Sequence, residues 1–446
     1  MRWLANDLSL LEDWRASLRQ YSRLFVGFSG GLDSTVLIHA LASERELVKR
    51  VHAIHIDHGL SEHATAWSEH CQHVCQTLDI PFSTHKISLL NSSNIEEQAR
   101  IARYGVFSSM LAEHDCLLLA HHADDQAETV LLQLFRGAGV LGLSAMTAVK
   151  ALGKGVVIRP FLQHTRQQLK TYAFKHQLVW VEDESNLNTM FSRNYLRQQV
   201  MPLLEAKWPS VVENLKRCAI HCQSAQSNLD ALAEVDCELI RHQSDFLDIN
   251  VLQPLPRLRL ANVLRVWFKS HHLQSPSEHL LNRIMTEVIF VRKDATPLVQ
   301  WGNVMIRRYQ NNLYLLENKG ENQGEPIEWM SFPSPLKLSL SAKNSHVLSA
   351  TPAMNGVRVQ QGARLLLTFR QGGETFRWRG QTKTLKKLCQ EWHIPPWQRA
   401  SIPLLYIDER LAAIVGYAVS DDHYGADAIN TYHLSLQSID DSAIMD

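Results

Sequence analysis

The chain has 446 residues, of which 45% are hydrophobic, and equal numbers of basic and acidic residues give a formal net charge of zero. A chain of this length can bury a large core and predicts two or three domains. With no excess of positive charge, the chain as a whole is not expected to attract nucleic acid, so any basic surface must be local. Neither a membrane span nor a signal peptide is predicted. Seven scattered cysteines favour reduced thiols, and we expect a cytoplasmic protein without membrane association.

The N-terminal part of the chain, from Arg23 to about Val181, alternates short apolar runs with segments of helical periodicity. Strands are predicted at Leu24–Phe28, Val51–Ile56, Phe82–Ile87, Cys116–Ala120, Val156–Ile158 and Val179–Val181, and helices at Glu62–Leu78, Ile95–Glu113 and Asp125–Phe135. This alternation indicates an α/β fold with a doubly wound, mostly parallel, Rossmann-like sheet. We therefore expect a ligand beyond the carboxyl ends of the strands, near the switch in strand order.

Two smaller α+β domains are predicted after this sheet. The pattern is helical from about residue 195 to 242, with a break at Trp208-Pro209, and it mixes helix and strand signals over 245–323. The polar segment Asn318–Glu325 contains two glycines and is typical of a linker. We predict a catalytic domain at 1–210, a helical or mixed domain at 211–320 and a C-terminal domain at 325–446.

Cys71 and Cys75 lie near several histidines, which could indicate a metal site. Their spacing differs from that of a zinc knuckle, and no second ligand pair follows at a suitable distance. On a helix, these cysteines share a small apolar face with Val74 and Leu78. We therefore predict that they pack in the core.

A glycine-rich segment follows the first predicted strand and opens the first helix. It consists of Ser29, Gly30, Gly31, Leu32, Asp33 and Ser34. Glycines permit positive φ and close approach of a phosphate, and a helix N-terminus supplies free amide groups and a partial positive charge. These features predict an anion site. Two glycines alone would also fit an ordinary strand-to-helix turn capped by serines.

Two absent signals narrow the kind of anion site. The chain lacks GxxxxGK[ST], and so the lysine of a P-loop, and it lacks the GxGxxG of a dinucleotide site. Asp33 stands in place of the lysine, and its charge beside phosphates requires a divalent cation between them. The string SGGLDS resembles the pyrophosphate loop of the N-type ATP pyrophosphatases. This resemblance implies that the loop binds ATP, retains the β and γ phosphates as pyrophosphate and lets the α-phosphate go to the substrate.

A predicted strand runs into an acidic helix over residues 117–136 (LLLAHHADDQAETVLLQLFR). His121, Asp125 and Glu128 are spaced by four and three residues, which places them on one face at the ligand-binding end of the strand. Asp124 or Asp125 could simply be an N-cap that the helix dipole favours. That interpretation explains one acidic residue better than it explains all three functional side chains. The three side chains could also be ligands of a metal cluster, but no further ligand follows nearby in the sequence.

Several arginines lie in distinctive strings around these two segments. They are Arg100 and Arg103 in EEQARIARY, Arg136 in the glycine-rich RGAGVLGL and Arg193 in SRNYLR. Taken singly, each arginine is typical of a surface charge. In chain order, the strings SGGLDS, EEQARIARY, HHADDQAET, RGAGVLGL, RP and DESN…SRNYLR closely resemble the tRNA(Ile)-lysidine synthetase family. The resemblance spans about Arg23 to Pro202 and resumes in RQGGETFRWRGQTKTLKKLCQEWHIPPWQR.

The resemblance implies an adenine nucleotide alpha hydrolase-like fold and an enzyme that modifies the wobble cytidine of tRNA(Ile) with a CAU anticodon. Its substrates would be ATP and free L-lysine. The base is adenylated at its C2 oxygen, and the lysine side-chain amine then displaces AMP to form lysidine. Codon specificity thereby changes from AUG to AUA, and amino-acid identity from Met to Ile. The family commonly forms dimers, so a homodimer is expected.

Site roles follow from the same resemblance. Ser29–Ser34 would bind ATP, with Asp33 on Mg²⁺. His121, Asp125 and Glu128 would line the reaction centre, where the carboxylates suit a lysine ammonium and one of the three residues takes its proton. Arg100 or Arg103, and Arg193, would counter charge on phosphates or on the developing AMP. Arg100, Arg103 and Arg136 would also contact the substrate, as would Asp125 and Glu128.

A basic stretch covers residues 357–400, where nine Lys or Arg residues face two acidic ones and aromatic residues are interleaved. Such a stretch suits contact with a phosphate backbone, with aromatic rings free to stack on unpaired bases. Most of the aromatic residues are expected in the core of the small domain. We predict tRNA contacts for Arg377, Arg379, Lys383, Lys386 and Lys387.

Two alternatives belong to different classes. A tRNA-thiolating enzyme with the same loop would use adenylation but would need a reactive cysteine pair or an iron–sulfur site, and the cysteine positions do not suggest either. A non-catalytic RNA-binding protein with a relict nucleotide loop would be expected to have lost the loop or the acidic helix, and both are intact.

Overall fold

A computed structural model of the chain describes residues 10–57, 59, 63–87, 95–182, 184, 188–242, 244–273, 276–292, 295, 297–317, 325–341, 344–427 and 430–440. Of 95–96, 339–341, 344–345 and 438–440 it describes the backbone alone. The chain forms two compact units, Met1–Leu232 and Ala233–Asp446. The predicted linker Asn318–Glu325 lies outside the described residues except for Glu325, and the predicted division into three domains stays a prediction.

The first unit is built on a six-stranded sheet. Its strands are β1 (Arg23–Gly27), β2 (Val51–Asp57), β3 (Phe82–Lys86), β4 (Asp115–Leu118), β5 (Val149–Leu152) and β6 (Gly155–Ile158). The strand order is β3-β2-β1-β4-β6-β5, and every pairing is parallel except that of β5 with β6. The predicted α/β fold with a mostly parallel sheet is therefore confirmed.

Helices accompany the strands of the first unit. They are α1 (Arg15–Leu18), α2 (Leu32–Ala42), α3 (Ala64–Thr77), α4 (Ile95–Met110), α5 (Ala123–Phe135), α6 (Val140–Leu143), α7 (Arg166–Lys175), α8 (Ser192–Tyr195), α9 (Met201–Lys207) and α10 (Val211–Asp236). A π-helical turn at Leu196–Val200 joins α8 to α9, and 3-10 turns lie at Glu12–Trp14, Val48–Arg50 and Pro160–Gln163. The predicted break at Trp208-Pro209 separates α9 from α10.

The strands of the first unit differ from the prediction in two places. Val179–Val181 is not a strand; the backbone N–H of Val181 instead donates to the carbonyl of Gly30 at 2.9 Å. Strand β5 was not predicted because it is a largely exposed edge strand that lacks the buried apolar face from which strands are recognised.

The sheet order brings the two predicted functional segments together. Strands β1 and β4 are parallel neighbours, with Leu24 beside Cys116 and Val26 beside Leu118. Their carboxyl ends therefore meet at the same edge, where β1 leads into the glycine loop and β4 into α5. The four side chains in this register are fully buried, so packing fixes the junction.

The second unit contains antiparallel sheets. Its strands are β7 (Phe246–Asp248), β8 (Leu298–Trp301), β9 (Val304–Tyr309), β10 (Asn312–Glu317), β11 (Ile327–Glu328), β12 (Leu336–Ser341), β13 (Asn344–Arg358), β14 (Leu365–Phe369), β15 (Thr375–Trp378), β16 (Gln381–Thr384), β17 (Pro403–Ile407), β18 (Arg410–Ile414), β19 (Ala418–Val419), β20 (Tyr424–Gly425) and β21 (Thr431–Asp440). Their sheets have the orders β7-β10-β9-β8, β11-β14-β17-β18-β19, β12-β13-β20 with β21 on β13, and β15-β16.

Helices of the second unit pack against these sheets. They are α11 (Ile249–Leu252), α12 (Arg257–Ser270), α13 (Glu278–Ile284) and α14 (Leu385–Glu391), with a π-helical turn at Met285–Ile289 and 3-10 turns at Glu238–Ile240 and Pro396–Ser401. Trp267 and Phe268 of α12 are fully buried in one core, and Phe376 and Leu388 are buried in another. Among the described residues, no helix is long and apolar enough to cross a membrane.

Candidate active site

The glycine loop is held in one conformation by its own hydroxyl groups. The Ser34 hydroxyl donates to the Gly31 carbonyl at 3.1 Å and lies 3.1 Å from the Ser29 hydroxyl, while the Ser29 N–H donates to Ser34 Oγ at 3.3 Å. Gly31 is the N-cap of α2 and leaves the first amide groups of that helix free. The loop is thus preorganised to bind an anion.

Gly30 has a φ of +80°, and a Cβ built at this position would lie 2.9 Å from the Cys71 sulfur. We expect Gly30→Ala to lower the free energy of unfolding by about 2 kcal/mol, because the left-handed backbone disfavours a side chain and Cys71 is fully buried in the core. Gly105→Ala is the matched control, since Gly105 is exposed within α4 and has open space around it. That control should stabilise by about 1 kcal/mol. Urea unfolding measures both effects, and equal stabilisation by the two variants would contradict the prediction.

Asp33 lies in the first turn of α2 and faces the acidic helix. Its Oδ2 is 3.6 Å from Nε2 of His122, whereas its Oδ1 is buried and has no hydrogen-bond partner among the described residues. A buried carboxylate oxygen without a partner is costly unless a cation binds it. The donor is a hard oxygen of the type that Mg²⁺ prefers, so Asp33 fits the predicted divalent cation.

His122, rather than His121, connects the loop to the acidic helix. Its ring is almost fully buried, with Nδ1 3.4 Å from Asp124 Oδ2 and Nε2 3.4 Å from Asp125 Oδ2. Burial alone lowers the pKa of an imidazole, but the carboxylates of Asp125, Asp124 and Asp33 outweigh it and raise the pKa of His122 to about 10. The ring is therefore an imidazolium among three carboxylates.

The raised pKa of His122 predicts how stability depends on pH. An unfolded histidine titrates near 6.5, so the stabilisation is complete below that pH and is lost as the pH rises towards 10. We expect wild-type stability to fall relative to His122→Gln by up to about 1.4 kcal/mol per pH unit within this window. Thermal unfolding of both proteins between pH 6 and 10 measures the difference. A difference that stays constant over this range would contradict the assignment.

Glu128 is the centre of a buried ion-pair network. Its carboxylate accepts from Arg193 Nε at 2.8 Å, from Arg197 Nε at 2.6 Å and from Arg197 Nη2 at 2.9 Å. Arg197 also donates to Asp125 Oδ1 at 3.0 Å. Burial favours the neutral acid of Asp125, but His122, Arg193 and Arg197 hold its pKa far below the ordinary value. The network therefore joins α5 to α8 and to the π-helical turn that follows it.

His121 lies in a different environment from His122. Burial lowers the pKa of His121 to about 3, and nearby Arg159 and Arg193 reinforce this effect, so the ring is neutral. Its Nδ1 is buried and has no partner within the described part of the chain. Arg159 donates to the Thr147 carbonyl at 2.8 Å. The site thus combines an uncharged imidazole ring with surrounding guanidinium groups.

The remaining predicted arginines of the first unit differ in their surroundings. Burial lowers the pKa of Arg103, and Arg100 and Arg193 add to this effect. The Arg100 guanidinium lies 5.2 Å from the centroid of the Tyr104 ring. Arg136 follows the last residue of α5 and lines a cavity of about 450 Å³. Residues 183, 185 and 186 of the DESN string lie outside the described residues.

The predicted tRNA contacts of the second unit lie on the β15–β16 hairpin and on α14. Arg377 pairs with Asp422 at 3.2 Å, and Lys383 pairs with Glu391 at 2.8 Å. The remaining three are the exposed Arg379, Lys386 and Lys387. The expectation that aromatic residues pack in the core holds for Phe369 and Phe376, whereas Trp378, Trp392 and Trp397 are half-buried.

The functional signal that the sequence interpretation missed is the second histidine of the HH pair. His122 is three residues before Asp125, a spacing that places the two on one helix face as readily as the four-residue spacing of His121 does. Since adjacent residues at a strand end point to opposite sides, only one histidine of the pair can face the glycine loop. The two rings consequently differ in charge: His121 is neutral, and His122 is a cation.

The parallel sheet and its glycine loop define an enzyme of the PP-loop, ATP-using class. A PP-loop domain family matches residues 6–204, the TilS substrate binding domain matches 247–314, and the TilS substrate C-terminal domain matches 365–436. The tRNA(Ile)-lysidine synthase of Legionella pneumophila (strain Paris) is 49% identical over 413 residues, which cover 92% of this chain and 95% of the relative. That of Coxiella burnetii is 41% identical and covers 91% of each chain.

The chain therefore belongs to the tRNA(Ile)-lysidine synthase family. The predictions of this family, of ATP use and of a ligase that forms lysidine on tRNA(Ile) are confirmed. Among solved structures, a U34-tRNA thiolase NcsA from Methanococcus maripaludis with its [4Fe-4S] cluster is similar at 16% identity and a TM-score of 0.39, covering 48% of this chain and 76% of that one.

Proposed function

We propose that the chain forms lysidine from ATP, free L-lysine and the CAU-anticodon tRNA(Ile) in two steps at the site between the glycine loop and α5. In the first step, the C2 oxygen of the wobble cytidine attacks the α-phosphorus, and the bond to the β-phosphate oxygen breaks to release pyrophosphate. In the second step, the lysine ε-amine bonds to C2, and AMP leaves with the former C2 oxygen. The observation that carries the proposal is the contact of Asp33 with His122 beside Asp125.

The residues of the glycine loop support the first step. The amide groups of Leu32 and Asp33 at the start of α2, which the N-cap Gly31 leaves uncapped, suit the pyrophosphate oxygens. Asp33 would hold Mg²⁺ through its unpartnered Oδ1. The ion, when bound, neutralises phosphate charge. The His122 ring, 3.6 Å from Asp33 Oδ2, fixes the orientation of this carboxylate relative to α5.

The geometry divides the proposed roles of the acidic helix. Both oxygens of Glu128 are occupied by Arg193 and Arg197, so Glu128 positions these arginines against developing negative charge on AMP. Asp125 also has partners on both oxygens, Arg197 on Oδ1 and His122 on Oδ2, but it is the more exposed of the two carboxylates and is our choice to bind the lysine ammonium. Among the described groups, His121 offers a neutral acceptor atom without a partner, so it is our choice to receive a hydrogen bond from the attacking amine.

The surrounding cations favour the reactive form of lysine. An ammonium group loses its proton more readily beside other positive charges. Arg103, Arg159 and Arg193 lie near His121 and supply this effect. His121 itself, with a pKa of about 3, is too weak a base to hold the proton, so it orients the amine while the proton passes to solvent. The homodimer and the cytoplasmic location stay predictions.

The rival thiolation chemistry requires an activated thiol. The thiols nearest the loop and the strands are buried, and burial raises the pKa of Cys71 and of Cys116 to about 12. A thiol with so high a pKa is not a nucleophile at neutral pH. These observations favour lysine addition over sulfur transfer.

A pyrophosphate-release assay tests the order of the two steps. With ATP and tRNA(Ile) but without lysine, we expect one equivalent of pyrophosphate per active site and an AMP-linked tRNA. Addition of lysine should then release AMP. Pyrophosphate release that requires lysine but not tRNA would contradict the proposal, because it would indicate adenylation of lysine.

A further inference from the structure

The β15–β16 hairpin and α14 enclose a cavity of about 370 Å³ in the second unit. It is lined by Trp378, Arg379, Gln381, Lys383, Glu391 and Trp392. This volume is within the range of small-ligand pockets. The indole rings of Trp378 and Trp392 stand nearly perpendicular, with centroids 5.5 Å apart, and Tyr417 stacks on Trp392 at 5.5 Å. Flat aromatic groups therefore bound the cavity.

Arg379 has a left-handed backbone conformation, which is unfavourable for an arginine. A two-residue turn joins Trp378 to its cross-strand partner Gln381, and both turn residues have positive φ, +53° for Arg379 and +75° for Gly380. Such hairpin turns prefer Asn, Asp or Gly at the first position. The Asp421 carboxylate accepts from the N–H groups of Arg379 at 3.1 Å and Gly380 at 2.7 Å, which holds the turn. The fold thus tolerates local strain to present an arginine here.

The guanidinium of Arg379 lies 4.4 Å from the centroid of the Trp378 ring. Within the described residues, no carboxylate pairs with this guanidinium, whereas neighbouring Lys383 is paired with Glu391. Arg379 therefore offers an unneutralised planar cation at the cavity. Guanidinium and aromatic planes are the groups on which proteins stack unpaired bases.

The carboxylate of Glu391 decides between a phosphate and a base as the ligand. A phosphate in this cavity would lie beside the Glu391 charge, which Lys383 only balances. An exocyclic amino group of adenine, cytosine or guanine would instead donate to that carboxylate, and the Gln381 amide can donate and accept along a base edge. We propose that the cavity binds one unpaired, amino-bearing nucleobase of the tRNA. This inference rests on the proposed function, since it requires tRNA as substrate.

The test uses two substitutions of Arg379 with the full-length protein. Arg379→Asn removes the guanidinium but suits the turn, so this variant folds at least as stably as wild type. Arg379→Lys keeps the positive charge but removes the planar guanidinium group that would stack on a base. We expect both variants to raise the Kd for tRNA(Ile) about tenfold, as the loss of one stacked base does. For Arg379→Lys, the salt dependence of binding should be unchanged. The matched control is Arg364→Gln, an exposed arginine paired with Glu328, with less than a twofold change.

Filter binding at several salt concentrations gives the decisive outcomes. Wild-type affinity of Arg379→Lys would indicate a phosphate contact and overturn the proposal, and wild-type affinity of Arg379→Asn would exclude a ligand there. A tRNA without its unpaired 3′ nucleotides identifies the source: if the base comes from that end, Arg379→Asn causes no further loss, and if it comes from a loop, the losses add. Lysidine formation by wild type is measured in parallel. Its absence would refute the proposed function, whereas the binding data judge the cavity separately.

Discussion

Asp125→Asn should reduce lysidine formation at least a hundredfold, the largest activity loss that we expect from one isosteric change. The substitution removes the negative charge that faces His122 and Arg197, and with it the proposed contact with the lysine ammonium. Tritiated lysine incorporated into tRNA(Ile) under single-turnover conditions measures the loss. Pyrophosphate release should fall less than lysine incorporation, because the glycine loop is untouched.

Asp79→Asn is the matched control for this prediction. Asp79 is exposed and has a φ of 54°, a conformation that asparagine tolerates well. It should retain full activity. An Asp125→Asn protein with wild-type lysine incorporation would remove Asp125 from the reaction centre. Loss of pyrophosphate release and lysine incorporation in equal measure would place its role in the first step instead.

Glu128→Gln should lower the local free energy of opening of α5 by about 3 kcal/mol. The substitution leaves Arg193 and Arg197 without their shared carboxylate, and a partner removed from a buried ion pair leaves uncompensated charge. Hydrogen exchange of the amides in Ala123–Phe135 reports this local free energy without assuming that the whole chain unfolds in one step.

Glu213→Gln provides the comparison, because Glu213 is exposed on α10 and forms an ion pair with Lys216 at 2.8 Å. The same chemical change there should cost less than about 0.5 kcal/mol. Equal protection of α5 in both variants would show that the network around Glu128 adds little to stability, and would favour a purely catalytic role for this carboxylate.

The location of the site was predictable because the position of each motif at the end of a strand is encoded locally. Each motif directly follows an apolar strand, and parallel strands place their carboxyl ends at one edge, so the glycine loop and α5 had to meet if β1 and β4 were neighbours. The core face of Cys71 and Cys75 was likewise predictable from helical spacing, and both side chains are fully buried. The Cys71 sulfur also packs against Gly30, a contact that helical spacing alone does not reveal.

The partners within the site were not predictable from spacing. Whether His121 or His122 faces the loop depends on the residue at which β4 ends and α5 begins, and a shift of one residue reverses the answer. Arg197 lies in a π-helical turn and donates to Glu128, which is 69 positions away in the sequence. No local pattern predicts this contact. The absence of a strand at Val179–Val181 has a similar cause, since its hydrogen bond to the loop replaces a strand pairing.

Both steps of the reaction can be followed in a single experiment. The protein is incubated with ATP labelled at the α-phosphate, labelled lysine and tRNA(Ile), and the nucleosides are separated after nuclease digestion. We predict one lysine stably attached to the wobble nucleoside for each AMP and pyrophosphate formed, with no ADP. Lysine attached at the 3′ terminus, or ADP and phosphate as the nucleotide products, would contradict the proposal that the glycine loop retains pyrophosphate while the site around Asp125 adds lysine to the base.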